Sequence, residues 1–316
     1  MPTTLDTTKP IVPVPAPWRL RGDVYVVTFF NKAGNLPEHT YSPLERDSSY
    51  ADPALTGAHL GGLSQFQIIR YTDSPVGPYD ELIVCPGYYN YQVDDPTRPG
   101  KRLTKKNVRI SRIYVSQKYT CWNGRTNWNI PKHLARFTFT TNPTDNSTTV
   151  EVFPHDTTDD TANPSVQSLG SESQPATVPF FRATFHPQRF VPSFPLSLSW
   201  ISALGMDIGL VQPPLPGNQD ASQGELPGTQ RWCKIGPNQS TRNASIGWLD
   251  MKQTADDGGE GEGAAKKGAV TTTAGQIPGC ENFWPGMGRW QLAIKMDDAE
   301  IDFGHATYWE TPKTMM

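Results

Sequence analysis

Short runs of β-branched and aromatic residues, each cut off by proline or glycine, recur along this chain, and that punctuation most limits what it can fold into. Asp23–Phe30 is such a run and predicts a strand. Strand character resumes at Leu63–Tyr71 and stops in Thr72–Tyr79, where prolines and a glycine enforce a turn. Glu81–Cys85 is a short apolar strand closed by Pro86 and Gly87, and Val108–Ser116 alternates imperfectly. Ala135–Thr141 and Thr148–Phe153 alternate cleanly and, joined by Asn142-Pro-Thr-Asp-Asn146, predict a hairpin. Pro179–Phe185 is a further strand, Phe194–Leu210 fits a strand or a short helix, and Trp290–Lys295 with Glu300–Phe303 predicts a last hairpin. With 30 Pro and 27 Gly in 316 residues, a helical bundle is disfavoured, because proline removes a helix hydrogen bond and its ring clashes with the preceding turn.

Roughly eight or more strands, without a long amphipathic helix or an internal repeat, predict a mainly β fold. The expected form is a closed or nearly closed antiparallel β-barrel, or two packed sheets, with few short helices. Either form needs one continuous core. The expected organisation is therefore an extended Thr/Pro-rich arm at 1–17 and a single domain at 18–316, interrupted by a flexible insertion at about 254–279. Residues 31–62 form a second, polar and turn-rich excursion.

Twenty-eight basic against 31 acidic residues leave a net charge of −3. No basic stripe interleaves with aromatics, so neither nucleic acid nor an anionic membrane surface is an expected partner. The N-terminus lacks an apolar signal core and no apolar run is long enough to span a bilayer, so a soluble, cytoplasmic protein is expected. Cys85, Cys121, Cys233 and Cys280 are far apart and are expected as buried free thiols. The histidines are scattered, without zinc-ligand spacing. No nucleotide fingerprint and no serine-hydrolase elbow occurs, and no cofactor is expected.

The stretch with chemical character is Cys121–Phe137, which holds a Gly124-Arg125 pair, Trp122, Trp128, and Lys132 between Ile130-Pro131 and a new apolar run. Burial of a lysine penalises its ammonium form, and an uncharged amine is a nucleophile that forms a Schiff base with a ketone or aldehyde. The plainer alternative is a lysine whose stem lies on apolar surface and whose head reaches water.

Three segments resemble the acetoacetate decarboxylase superfamily: Pro15–Tyr25, Arg70–Glu81 and Gly124–Lys132. In that family a Gly-Arg…Pro-Lys pattern carries the Schiff-base lysine, so the resemblance places that role on Lys132. It places the pocket acid that follows the Ser-Pro-x-Gly-Pro-Tyr turn on Glu81. The likeness spans residues 15–140 and marks a divergent, longer member. Where the family's decarboxylases have a second lysine, this chain has His133. A further pocket glutamate falls in register with Gln67, and Arg19 or Arg21 stands where an arginine binds the substrate carboxylate.

The resemblance implies a cofactor-independent Schiff-base lyase, acting as decarboxylase, aldolase or dehydratase on a β-keto or polyketide-like carbonyl metabolite. Lys132 is the expected nucleophile and Glu81 the proton shuttle, with a homo-oligomer as a further expectation. His133 either tunes Lys132 or points to the opposite strand face. Trp128 and Trp122 either wall the pocket or pack in the core. One alternative is a secondary-metabolite cyclase that folds its substrate without covalent chemistry, with Lys132 or Arg70 as hydrogen-bond donors. Another is a non-catalytic carrier of an apolar ligand.

Overall fold

The computed structural model describes residues 9–37, 40–156, 174–200, 207–252 and 287–310. In chain order its elements are β1 (Trp18–Asn31), α1 (Pro43–Arg46), α2 (Pro53–Thr56), β2 (His59–Asp73), β3 (Tyr79–Cys85), β4 (Tyr88–Asp94), β5 (Arg102–Val108), β6 (Arg112–Val115) and α3 (Lys118–Trp128). There follow β7 (Lys132–Thr141), β8 (Thr148–Pro154), β9 (Phe181–Pro187), β10 (Phe194–Ser197), β11 (Leu210–Gln212), β12 (Trp232–Ile235), β13 (Asn238–Asp250), β14 (Trp290–Phe303) and β15 (Thr307–Trp309).

Nine strands close a barrel in the order β1-β14-β13-β9-β8-β7-β6-β3-β2, with β2 returning to β1. Closure removes the unpaired strand edges that an open sheet exposes. All neighbours in the ring are antiparallel except β6 and β7, which run parallel. Parallel neighbours cannot be joined by a tight turn and need a crossover. Here α3 is that crossover.

The start of β2 runs beyond the ring and pairs with β4, which begins a side sheet of order β4-β5-β11-β12-β15. Where the two sheets meet the backbones come very close. Gly87 has φ 122, and a Cβ built on it would stand 2.5 Å from the Gly61 carbonyl oxygen. Only glycine satisfies both conditions.

Alternation along the strands divides the core in two. One cluster, with Tyr25, Phe66, Leu82, Tyr114, Ala135, Val152, Phe181, Leu249 and Ala293, draws on every ring strand and fills the barrel. The other lies outside the wall, where Leu20, Ile69, Ile83, Ile113 and Leu134 meet Cys121 and Trp128 of α3 and Leu210, Cys233 and Ile235 of the side sheet. The second cluster surrounds the site described below.

Most of the expected strands are present, and the β7–β8 hairpin forms in register from Thr141↔Thr148 to Ala135↔Pro154. Two expectations differ in detail. The Val108–Ser116 run is two strands, because the chain leaves the side sheet at Val108 and enters the barrel at Arg112. Trp290–Phe303 is one strand rather than a hairpin: the Met-Asp-Asp-Ala stretch is a kink at Asp298, φ 45, matched by a register shift beside Gly22 of β1. The Phe194–Leu210 stretch begins as the short strand β10, and its residues 201–206 lie outside the described residues. The longest helix among the described residues, α3, has eleven residues and lacks an amphipathic stripe, because Thr120, Cys121, Asn123, Gly124, Arg125 and Trp128 are all buried.

The excursion at 31–62 contains α1 and α2, whereas the insertion expected at about 254–279 lies outside the described residues. Cys85, Cys121 and Cys233 are buried thiols; burial pushes the Cys85 and Cys233 thiols up to about 12. Among the described residues no helix is long and apolar enough to cross a membrane.

Candidate active site around Lys132

The site is built on α3 and the strand that follows it. The Gln117 side chain caps the helix by accepting from Tyr119 N at 3.1 Å and Thr120 N at 3.3 Å. Asn129, in the left-handed conformation with φ 51, ends it, and Pro131 prevents its continuation. Tyr119, Asn123 and Asn127, spaced four apart on one helix face, bind the N-terminal arm. They donate to the carbonyls of Lys9 (3.0 Å), Val12 (3.1 Å) and Val14 (2.7 Å).

The Gly124-Arg125 pair has a physical role for each residue. A Cβ on Gly124 would lie 2.6 Å from Cδ and 2.7 Å from Cε of Lys132, so the lysine stem passes against a helix surface that only glycine leaves open. The buried Arg125 donates to the Lys132 carbonyl (3.1 Å), Glu45 Oε1 (3.0 Å) and the carbonyls of Pro216 and Pro227. It thereby fixes the start of β7 to α3, to α1 and to the loop before β12.

Lys132 is 4 % exposed. Its Nζ lies 2.7 Å from Glu81 Oε2 and 2.9 Å from Thr120 Oγ1, with the Tyr79 ring centroid 5.1 Å away. Tyr71 donates to Glu81 Oε1 at 3.1 Å, and its ring lies 4.3 Å from that of Tyr79. Burial, and then the Glu81 charge, pushes both phenols well above the ordinary tyrosine range. They are therefore neutral hydrogen-bonding groups throughout the physiological range. The result is a water-poor cluster of one amine, one carboxylate and three hydroxyls.

Register explains the meeting. Glu81 lies opposite Val115, and Val115 opposite Leu134, so β3, β6 and β7 present Glu81 and Lys132 on the wall face that α3 covers. His133, one residue on, takes the other face: it is paired with Tyr114, its Nε2 lies 2.6 Å from Glu45 Oε2 and its Nδ1 3.7 Å from Asp156. Burial alone would push the Glu45 carboxyl up, but the charges and hydrogen bonds of His133 and Arg125 outweigh it and hold it below the usual carboxylate range.

Gln67 shares the Glu81 face, two residues along β2 from Ile69, the partner of Glu81, and accepts from Gln239 Nε2 at 2.9 Å. The arginines are placed elsewhere. The Arg19 side chain is 95 % exposed, because it alternates with the buried Trp18 and Leu20. Arg21 reaches outward to Asp298, and half-exposed Arg70 packs over Phe139 and toward Asp80 on the face opposite Tyr71. Trp128 is core: it packs edge-on against Trp18 at 5.1 Å and donates to the Gly304 carbonyl.

Sequence reasoning missed Thr120 at the amine, Tyr71 on Glu81, and Glu45, which binds Arg125 and His133. Glu45 lies in a polar excursion with no periodicity to mark it. The signal for Thr120 was the cap: Gln117 and Asn129-x-Pro131 bracket a helix whose third residue faces the first residue of β7.

Two variants test this geometry. Gly124→Ala should lower stability by about 1–3 kcal/mol from overpacking, despite a helix-propensity gain of up to about 1 kcal/mol; urea unfolding measures it, and a rise in stability would show that the stem swings aside. Glu45→Gln leaves Arg125 buried without its partner and should cost about 3–5 kcal/mol at neutral pH. Because the folded-state Glu45 carboxyl is held low, its contribution is full above its ordinary value of 4.5 and is lost as pH falls through the lowered one. The gap between wild type and variant should therefore narrow in acid, and a gap independent of pH would contradict the ion-pair account.

No protein-family model matches the chain. No curated protein matches it in sequence. Its fold is similar to the crystal structure of acetoacetate decarboxylase from Legionella pneumophila, with a TM-score of 0.51 and 11 % identity over 99 % of this chain and 92 % of the other. A second acetoacetate decarboxylase structure matches with a TM-score of 0.50 and 13 % identity over 99 % and 96 % of the two chains. The chain thus has the closed-barrel fold of acetoacetate decarboxylase at a divergent level of sequence.

Proposed function

We propose that the chain is an enzyme that binds a carbonyl metabolite as an imine on Lys132 and needs no cofactor. The observation that carries this reading is the buried contact of Lys132 Nζ with Glu81 Oε2 at 2.7 Å. The similarity of fold to acetoacetate decarboxylase supports it.

The pair supplies both states that imine formation requires. Transfer of one proton from the ammonium to Glu81 yields a neutral nucleophile and a neutral acid side by side. The amine attacks the carbonyl carbon, and Glu81 protonates the oxygen that leaves as water. The product is a protonated imine beside a carboxylate, and this cation accepts an electron pair from a neighbouring bond. Lyase and aldolase outcomes share this intermediate. Thr120 and Tyr79 orient the amine, and Tyr71 holds the Glu81 carboxylate in place.

A second reading is that Lys132 acts only as a hydrogen-bond donor in a cyclase that shapes its substrate without a covalent bond. The observation in its favour is that the amine already donates to Glu81 and Thr120.

Borohydride separates the two. Incubation with a ketone followed by reduction should leave a stable adduct that peptide mass mapping finds on Lys132. Glu81→Gln should slow its formation by about 10²–10⁴-fold, the usual contribution of a positioned acid–base group. Adducts spread over surface lysines with none on Lys132 would remove the covalent reading.

A further inference from the structure

We infer that the protein carries a second binding site, a polar basin over the adjoining ends of β1, β14, β13 and β10, and that its ligand is a neutral sugar ring. The inference is independent of the chemistry at Lys132.

Register builds the floor of the basin. Arg21 lies opposite Glu300, Glu300 opposite Ser240, and Ser240 opposite Ser197, so one row crosses four adjacent strands. Alternation turns this row to solvent. Its chain neighbours Leu20, Ala299 and Ile301 are buried on the other face, in the cluster that surrounds Lys132. The two sites are thus back to back, with one sheet between them. Trp200 just beyond β10, Arg242 and Asn243 of β13, and Asp297 and Asp298 at the kink of β14 complete a basin of about 430 Å³. That volume is ordinary for a small-molecule site.

The lining selects the ligand. Arg21 is paired with Asp298, and Lys295 with Asp297 at 2.6 Å. The side chains of Arg242, Asn243, Glu300 and Ser240 make no hydrogen bond or ion pair among the described residues. They are a donor, an amide that both donates and accepts, an acceptor and a hydroxyl. Arg21, Arg242 and Lys295 balance Asp297, Asp298 and Glu300 in charge, so the basin has no net field to draw in an ion. A phosphate would meet the carboxylates and an ammonium the guanidinium groups. An apolar compound would strip water from these charges without replacing its hydrogen bonds, which is costly. Sugar hydroxyls donate and accept at once and so match the mixed set.

Trp200 supplies the rest. Its indole is 54 % exposed. A single exposed apolar side chain needs no explanation. This one stands on a concave basin beside unspent donors and acceptors, where its flat face can carry the C–H face of a pyranose while the polar groups take the hydroxyls.

Ligand-observed saturation-transfer NMR on the full-length protein tests the site. The probes are the methyl glycosides of glucose, galactose and mannose, and N-acetylglucosamine, each at millimolar concentration, with inorganic phosphate titrated separately by calorimetry. At least one sugar should receive saturation, most strongly at its ring C–H protons. Trp200→Ala should weaken that sugar about tenfold, as loss of an aromatic anchor does. Glu300→Ala should weaken it about fivefold, as loss of one hydrogen bond does. Lys132→Ala should bind it as the wild type does, because the two sites lie on opposite faces. No transfer to any of the four sugars, or transfer that survives Trp200→Ala and Glu300→Ala combined, would overturn the site. Phosphate binding that Arg242→Ala abolishes, with no sugar bound, would overturn the ligand class and make the basin an anion site.

Discussion

A charged amine held out of water is costly unless an opposite charge meets it at hydrogen-bond distance, and the contact of Lys132 with Glu81 supplies that charge. Much of the neighbouring architecture serves to make it possible. Glu81 is placed by the β3–β6–β7 register, and Lys132 by the abrupt end of α3 at Asn129. Gly124 gives the stem its path, and Arg125 holds the backbone carbonyl of Lys132 itself. The motif residues are thus one mechanical unit, in which a helix, a strand start and a side-chain channel are fixed together.

That unit is tied to distant parts of the chain. Glu45 comes from the excursion between β1 and β2, yet it is the counter-charge for both Arg125 and His133. The arm at residues 9–14 lies along α3, and Tyr308 of β15 donates to the Asn127 carbonyl. Two hydrogen-bonded pairs, Lys132–Glu81 outside the barrel wall and His133–Glu45 reached from the other face, sit one residue apart on β7. Strand alternation turns the two side chains to opposite faces of the wall.

Much of this was legible before any coordinates. β-branched runs cut by proline located most of the barrel strands, because burial on a pleated wall selects those residues. The Gly-Arg…Pro-Lys and Ser-Pro…Glu segments pointed to the two residues that meet. What was hidden follows from physical causes. α3 is buried almost all round, so no periodicity announces it. Arg19 and Arg21 carry the right chemistry in the right segment, but alternation with Trp18 and Leu20 turns Arg19 into solvent, and Arg21 is drawn to Asp298. Glu45 sits in an aperiodic excursion, where only the three-dimensional path brings it under β7. The direction in which a side chain leaves a strand is set by register, and a one-residue shift reverses it.

The central claim, that Lys132 forms an imine, is tested most directly by loss of a heavy-oxygen label from a ketone carbonyl into water. Imine formation expels that oxygen in each cycle, whereas hydrogen bonding leaves it in place. The account predicts rapid washout with the wild-type protein and buffer-level washout with Lys132→Ala. Equal washout by the two proteins would contradict it.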